Sequence, residues 1–230
     1  MLVDIMKLTT IGNVLILAGS IFSIPAAQAA TVTVNSSVSG YGVDGGSSGG
    51  YQLDGQFDYI NTSSDTVFVR QIRSLDFTRE TEFRGAYEFQ VPDILNNNIV
   101  INSASLRLHS TYAYWTYVYI YGYQGNGQIE LSDFAETDTL AASSELTIYN
   151  GTANRTYMVD ITDYLLNNVD SGNSYIGFNI ESAFWDSYVN LTRNAELIID
   201  YTVVPLPPAI FLFLSGLTGL MLSVRKKSSV

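Results

Sequence analysis

The chain has 230 residues, with 22 acidic side chains against 11 basic ones, a single histidine and no cysteine. A net charge of −11 repels phosphate backbones and argues against nucleic acid as a partner. The absence of thiols excludes disulfides, thiolate metal sites and cysteine chemistry, so an exported domain would have to be held by its hydrophobic core alone.

The N-terminal segment reads as a secretory signal peptide over residues 1–29. Lys7 supplies a basic start, Ile11–Ile24 an apolar centre, and Ala27-Gln28-Ala29 a small-residue end. Cleavage after Ala29 would leave Ala30 as the new N-terminus. Met6-Lys7 makes a more natural start than Met1, because Asp4 spoils the basic region.

The body, Ala30–Val203, is the size of one domain. It carries seven arginines and no lysine against 21 acidic residues, a net charge near −14. Its hydrophobic pattern is that of strands. Thr31–Val38 alternates, and Gly40–Gly50, with six glycines, reads as a loop. Strands are expected at Thr66–Val69, Gly85–Val91, Ile99–His109, Tyr112–Tyr123 and Leu146–Tyr149. Thr156–Ile161, Tyr175–Glu181, Tyr188–Leu191 and Glu196–Val203 follow. Turns rich in Asn, Gly, Asp and Ser separate them, which points to an all-β antiparallel sandwich of about eight to ten strands, jelly-roll-like. One helix is expected at Asp163–Val169, with Thr162 as N-cap and Leu165, Leu166 and Val169 on one face.

Motifs that would carry chemistry are few. His109 lies inside a predicted strand, and no Gly-x-Ser-x-Gly elbow accompanies it. Glycosidase chemistry needs two carboxylates facing one cleft; Glu80 with Glu82, or Asp133 with Glu136, are the candidates, but a solvated acidic surface accounts for them as well. No cofactor is expected, although Asp44, Asp54 and Asp58, or the segment 133–138, could hold a structural calcium. The aromatics are more telling. Trp115, Tyr117, Tyr119, Tyr121 and Tyr123 occupy alternate positions, opposite Tyr114, Thr116, Val118, Ile120 and Gly122. Period 2 sends the two sets to opposite sides of a sheet, with Val118 and Ile120 toward the core. Trp115, Tyr117, Tyr119 and Tyr121 are then an outward ladder on which sugar rings can stack, and Trp185 with Tyr188 is a second, weaker pair.

The C-terminal segment, 204–230, begins Val204-Pro205-Leu206-Pro207-Pro208. An uncharged run of 16 residues follows, Ala209–Val224, and then Arg225-Lys226-Lys227. As a helix the run measures about 24 Å at about 1.5 Å per residue. The flanking prolines and cations extend it toward a bilayer span, with the cations on the cytoplasmic side. This combination resembles the PEP-CTERM sorting signal of exopolysaccharide-producing Gram-negative bacteria, in a Val-Pro-Leu-Pro form with Leu206 where the best-known motif has Glu. The resemblance implies export, transient anchoring in the membrane, processing by exosortase, and release to the cell surface or extracellular matrix of a biofilm.

The body has a resemblance of its own. Arg84–Phe89, Ile101–Leu108, Val159–Leu166, Ile176–Glu181 and Ala195–Ile199 resemble DNRLRE-type and carbohydrate-binding-module-like jelly rolls of bacterial surface proteins. Such folds host many functions. Two readings remain at this stage. One is an exported, non-catalytic surface or matrix protein that engages exopolysaccharide; the other is a secreted glycan-active hydrolase.

Overall fold

The computed structural model describes residues 27–45, 53–75, 79–96, 99–114, 116–135, 139–142, 146–148, 154–169 and 173–204. Residues Ala29–Thr202 make one compact unit. The expected all-β, antiparallel class is observed. The strands are β1 (Gln28–Asn35), β2 (Val38–Asp44), β3 (Tyr59–Asn61), β4 (Thr66–Arg73), β5 (Glu80–Gln90) and β6 (Ile99–Tyr114). β7 (Thr116–Gly125), β8 (Leu146–Ile148), β9 (Arg155–Asp160), β10 (Tyr175–Ser182), β11 (Ser187–Thr192) and β12 (Glu196–Val203) complete the set. One helix, α1 (Thr162–Val169), and two short 3-10 turns, Asp93–Asn96 and Leu131–Phe134, accompany them.

Among the described residues the twelve strands form one hydrogen-bonded network, in the order β1-β12-β6-β11-β4-β5-β10-β7-β8, with β2 and β3 branching from β5 and β9 from β6. The branches arise because the long strands outlast their neighbours. β5 pairs β4 through Glu80–Phe83 and β10 through Gly85–Gln90, while β2 runs along Glu82–Glu88. The sheet curls as strands change partners, and one core cluster draws on nearly every strand. Val67, Val69, Tyr87, Phe89, Leu106, Leu108, Ile120, Phe178, Val189 and Leu197 are all buried in it. Burying each such side chain contributes about 1.5–3 kcal/mol, which is how a chain without disulfides is held.

Several expectations are corrected. Residues from Gly40 to Asp44 belong to strand β2 rather than to a loop. Their glycines answer to crowding: a Cβ on Gly40 would lie 2.7 Å from the Asn61 carbonyl oxygen, and one on Gly42 2.7 Å from the Phe134 ring. Composition reads such glycines as loop because it does not show what approaches them. The short β3 was not anticipated either. The helix starts at Thr162, but the Thr162 hydroxyl accepts the Ala104 N–H and donates to Asp160, tying the helix to β6. The helix buries Tyr164 and Leu165 and exposes Leu166, which the sequence reading had placed on the buried face. Tyr114, assigned to the core side with Val118 and Ile120, is 52% exposed. It ends β6, and the alternation does not carry across residue 115 into β7.

Both ends of the chain fall largely outside the description. The signal segment up to residue 26 lies outside the described residues, as do Pro205, Leu206, Pro207, Pro208, the run 209–224 and Arg225, Lys226 and Lys227. Val204 is described and exposed, Ala27 is exposed, and Ala29 and Ala30 lie at the start of β1. Among the described residues no helix is long and apolar enough to cross a membrane.

Candidate functional site

Strand alternation gives β5, β10 and β7 an apolar inner face and a polar outer one. Tyr87 and Phe89, Ile176, Phe178 and Ile180, and Val118 and Ile120 point into the core. Outward go Glu82, Arg84 and Glu88 from β5, Asn179 and Glu181 from β10, and Tyr117, Tyr119, Tyr121 and Tyr123 from β7. The registers set these side by side: Glu181 faces Tyr119, Asn179 faces Tyr121 and Ala86, and Gly177 faces Tyr123 and Glu88.

Part of this outer face is roofed. The segment ending in the turn Leu131–Phe134 lies across it, and Phe57, Ala86, Ile129 and Phe134 form a second, smaller core beneath. The roof is fastened by buried polar groups. The Phe134 carbonyl accepts Arg84 Nη1 at 2.8 Å and Asn179 Nδ2 at 3.0 Å. Glu88 Oε2 accepts the Gly127 N–H at 2.6 Å. Under the roof Arg84 is held between two carboxylates, Glu82 at 2.7 Å and Glu181 at 3.3 Å, and Gln71 donates a further hydrogen bond to Glu82.

Burial shapes the electrostatics here. The Glu88 carboxyl is pushed above the ordinary range by desolvation, and nearby Asp133 adds to this against the Gly127 hydrogen bond. Desolvation raises Glu181 as well, opposed by Arg84. Tyr123, buried at the covered end, is raised well above the usual phenol value by desolvation, with Asp133 and Glu88 next in importance. Glu88 Oε1 and the Tyr123 hydroxyl lie near one another without well-formed hydrogen-bond geometry.

Beyond the Leu131–Phe134 turn, and with nothing laid across it among the described residues, lies the tyrosine ladder. Tyr117, Tyr119 and Tyr121 are half-buried. Tyr119 and Tyr121 are tilted neighbours with ring centroids 6.2 Å apart, and Tyr117 meets the half-exposed Phe184 edge to face at 5.3 Å. Tyr121 is raised above the ordinary phenol value by burial and by nearby Glu181. The arrangement therefore offers ring faces, a carboxylate and phenol hydroxyls on one strip. Trp115, placed on the ladder from sequence, lies outside the described residues.

The other candidates fall elsewhere. His109 Nδ1 is 2.9 Å from Thr156 Oγ1 on the neighbouring strand, an ordinary cross-strand pair. Glu80 pairs with Arg73 at 3.0 Å, and Glu82 with Arg84, so these two face different cations rather than one cleft. Glu136 lies outside the described residues. Asp44, Asp54, Asp58 and Asp133 each accept a backbone N–H from a nearby loop or turn. Among the described residues no group of three or more histidine or acidic side chains is arranged to hold a metal. A cavity of about 220 Å³ lies between residues 139–142 and the start of α1, lined by Asp160, Thr162, Asp163 and Tyr164 among others. Sequence reading missed Arg84, Asn179, Glu181 and Phe184; the outward polar positions of the Gly85–Val91 and Tyr175–Glu181 strands were the signal available for Asn179 and Glu181.

Neither a family model nor a curated protein matches the chain. Among solved structures it is similar to a family two carbohydrate esterase from Cellvibrio japonicus, with a TM-score of 0.25 and 10% identity. The match covers 78% of this chain and 36% of that one, so the chain spans about a third of the esterase's length. A likeness at that score carries no argument about activity.

Proposed function

We propose that this chain is a non-catalytic protein of the cell surface or extracellular matrix that binds exopolysaccharide through the tyrosine strip of β7. On this reading it is exported by the signal peptide 1–29, held by the helix 209–224, and processed by exosortase at the Val204–Pro208 motif. The curled sheet is then a jelly-roll-like sandwich of the DNRLRE or carbohydrate-binding-module kind, and the passage of β5 between two sets of neighbours supports it. The observation that carries the binding claim is the strip itself: Tyr117, Tyr119 and Tyr121 face away from the core beside Glu181, with Tyr119 and Tyr121 adjacent. Flat rings accept the apolar face of a sugar, and the carboxylate and phenols bond its hydroxyls. Glu82 and Glu181 are both tied to one cation, Arg84, rather than set facing each other across an open cleft, which favours binding over a paired-carboxylate hydrolysis.

The test is Tyr117→Ala with Tyr119→Ala in the full-length chain. Affinity for the host's own polysaccharide should fall about tenfold or more, from a micromolar-to-millimolar starting point, while the unfolding temperature stays nearly constant. Unchanged binding would remove the strip from the reading, and release of reducing ends from the polysaccharide would replace binding by hydrolysis. Mass spectrometry of the exported protein should find Ala30 at the N-terminus and no intact 225–230 segment. A secreted form with its complete C-terminus, in a host that carries exosortase, would end the sorting claim.

A further inference from the structure

The outer face of β4, β11 and β6 carries a second constellation. Val69, Val189 and Ala113 stand opposite one another across these strands and are buried in the core. The next row along therefore points away from it. That row reads Arg70, Tyr188, Tyr114 in successive strands: Arg70 is paired with Tyr188 on β11 and Tyr188 with Tyr114 on β6, while on its other side Arg70 is paired with Phe83 of β5, which packs against the core cluster. Tyr188 is stacked between Tyr112 and Tyr114, with centroids 5.3 and 5.8 Å apart and planes within 19°. The Arg70 guanidinium lies 4.0 Å from the centroid of Phe83 and 5.7 Å from that of Phe68.

Arg70 differs in its partners from three other strand arginines, Arg73, Arg84 and Arg107. Arg73 is paired with Glu80, Arg84 with Glu82 and Glu181, and Arg107 with Glu196. Arg70 has no ion pair among the described residues, and its Nε is buried without a hydrogen-bond partner. Burial lowers its pKa, yet an arginine remains cationic at neutral pH. In a body with 21 acidic residues, this row holds none, nor does the adjoining Phe68, Asn190 and Tyr112. A partly desolvated cation without a counter-ion favours an anion that can be supplied from outside.

We propose that the Arg70–Tyr188–Tyr114 row binds a carboxylate-bearing sugar, one uronate unit of an acidic polysaccharide. The guanidinium takes the carboxylate in a two-pronged hydrogen-bonded pair, and the neighbouring pyranose lays its apolar face on the outer side of Tyr114, because both faces of Tyr188 are covered by Tyr112 and Tyr114. Two strand spacings separate Arg70 from Tyr114, about 10 Å, a short oligosaccharide's length. A single cation among rings matches a ligand with one charge per ring. A nucleic acid would meet the body's net negative charge with too few cations to offset it. The site is separate from the β7 strip and does not depend on sugar binding there.

The full-length chain in detergent should bind oligogalacturonate, followed by calorimetry at low salt, and should bind a neutral galactose oligomer of the same length at least tenfold more weakly. Arg70→Gln should weaken uronate binding tenfold or more, Arg70→Lys should retain part of it, and Tyr114→Ala should weaken it several-fold. The Tyr117→Ala, Tyr119→Ala double variant should leave it unchanged, which separates this site from the first. Added salt should weaken the uronate and not the neutral oligomer. The proposal is overturned if folded Arg70→Gln binds as before, or if the neutral oligomer binds equally. A glutamate oligomer that matches the uronate would overturn the sugar assignment. Should Arg70→Gln fail to fold, Arg70→Lys and Tyr114→Ala decide, and unchanged affinity in both overturns the site.

Discussion

Arg84 and Arg70 are both strand arginines on outward faces, and the sheet has put them to opposite uses. Arg84 lies under the roof formed by the Leu131–Phe134 turn, clamped by Glu82, Glu181 and the Phe134 carbonyl. Arg70 lies beside an open tyrosine stack, resting on the Phe83 ring with no carboxylate in reach among the described residues. In the first case the charge is consumed in holding a segment down; in the second it is left for a ligand. The difference teaches that a cation's role is read from its counter-ions rather than from its exposure.

The strongest way to break this comparison is Arg84→Met. It leaves two largely buried carboxylates without their cation, and should cost about 3–5 kcal/mol of stability in urea unfolding. A loss below about 1 kcal/mol would mean that the clamp is as dispensable as a surface pair. Next in size is Gly177→Ala. Its Cβ would fall 2.2 Å from the Tyr123 ring, and the overpacking should cost about 1–3 kcal/mol at the covered end of the face. No change there would show that Tyr123 can leave without disturbing the roof.

A third variant sharpens the comparison through pH. Glu88 has a raised folded-state pKa, so the folded protein holds this proton more tightly than the unfolded chain. Its stabilising effect is present below the unfolded carboxylate value and is lost as pH rises through the folded one. Glu88→Gln keeps an acceptor for the Gly127 N–H and removes the charge. The melting temperature should therefore rise at pH 7 and change little at pH 4, and equal shifts at both values would take Glu88 out of the pH dependence. The smallest effect is expected for Arg70→Met. It forfeits contact with Phe83 but orphans no acid, and should cost about 0.5–1 kcal/mol. A loss as large as that of Arg84→Met would make Arg70 a structural cation and erase the contrast.

Much of the fold was legible from local pattern. The alternation in Tyr112–Tyr123 was enough to send Val118 and Ile120 inward and Tyr117, Tyr119 and Tyr121 outward, because the two-residue period is a property of the strand itself. The same pattern failed at Tyr114, where β6 and β7 are distinct strands with different neighbours. It failed also at β2, whose glycines looked like a loop until Phe134 and Asn61 were seen to need their space.

By itself the sequence determined the all-β class, the strand-like alternation, the excess of acid and the absence of thiols, since each is a matter of composition or local period. Tertiary structure alone decided which charges meet. Arg84 and Glu181 are 97 positions apart, and Arg70, Tyr188 and Tyr114 come from three separate strands. Pairing register is set by how a whole curled sheet closes on its core, and no local period carries that information.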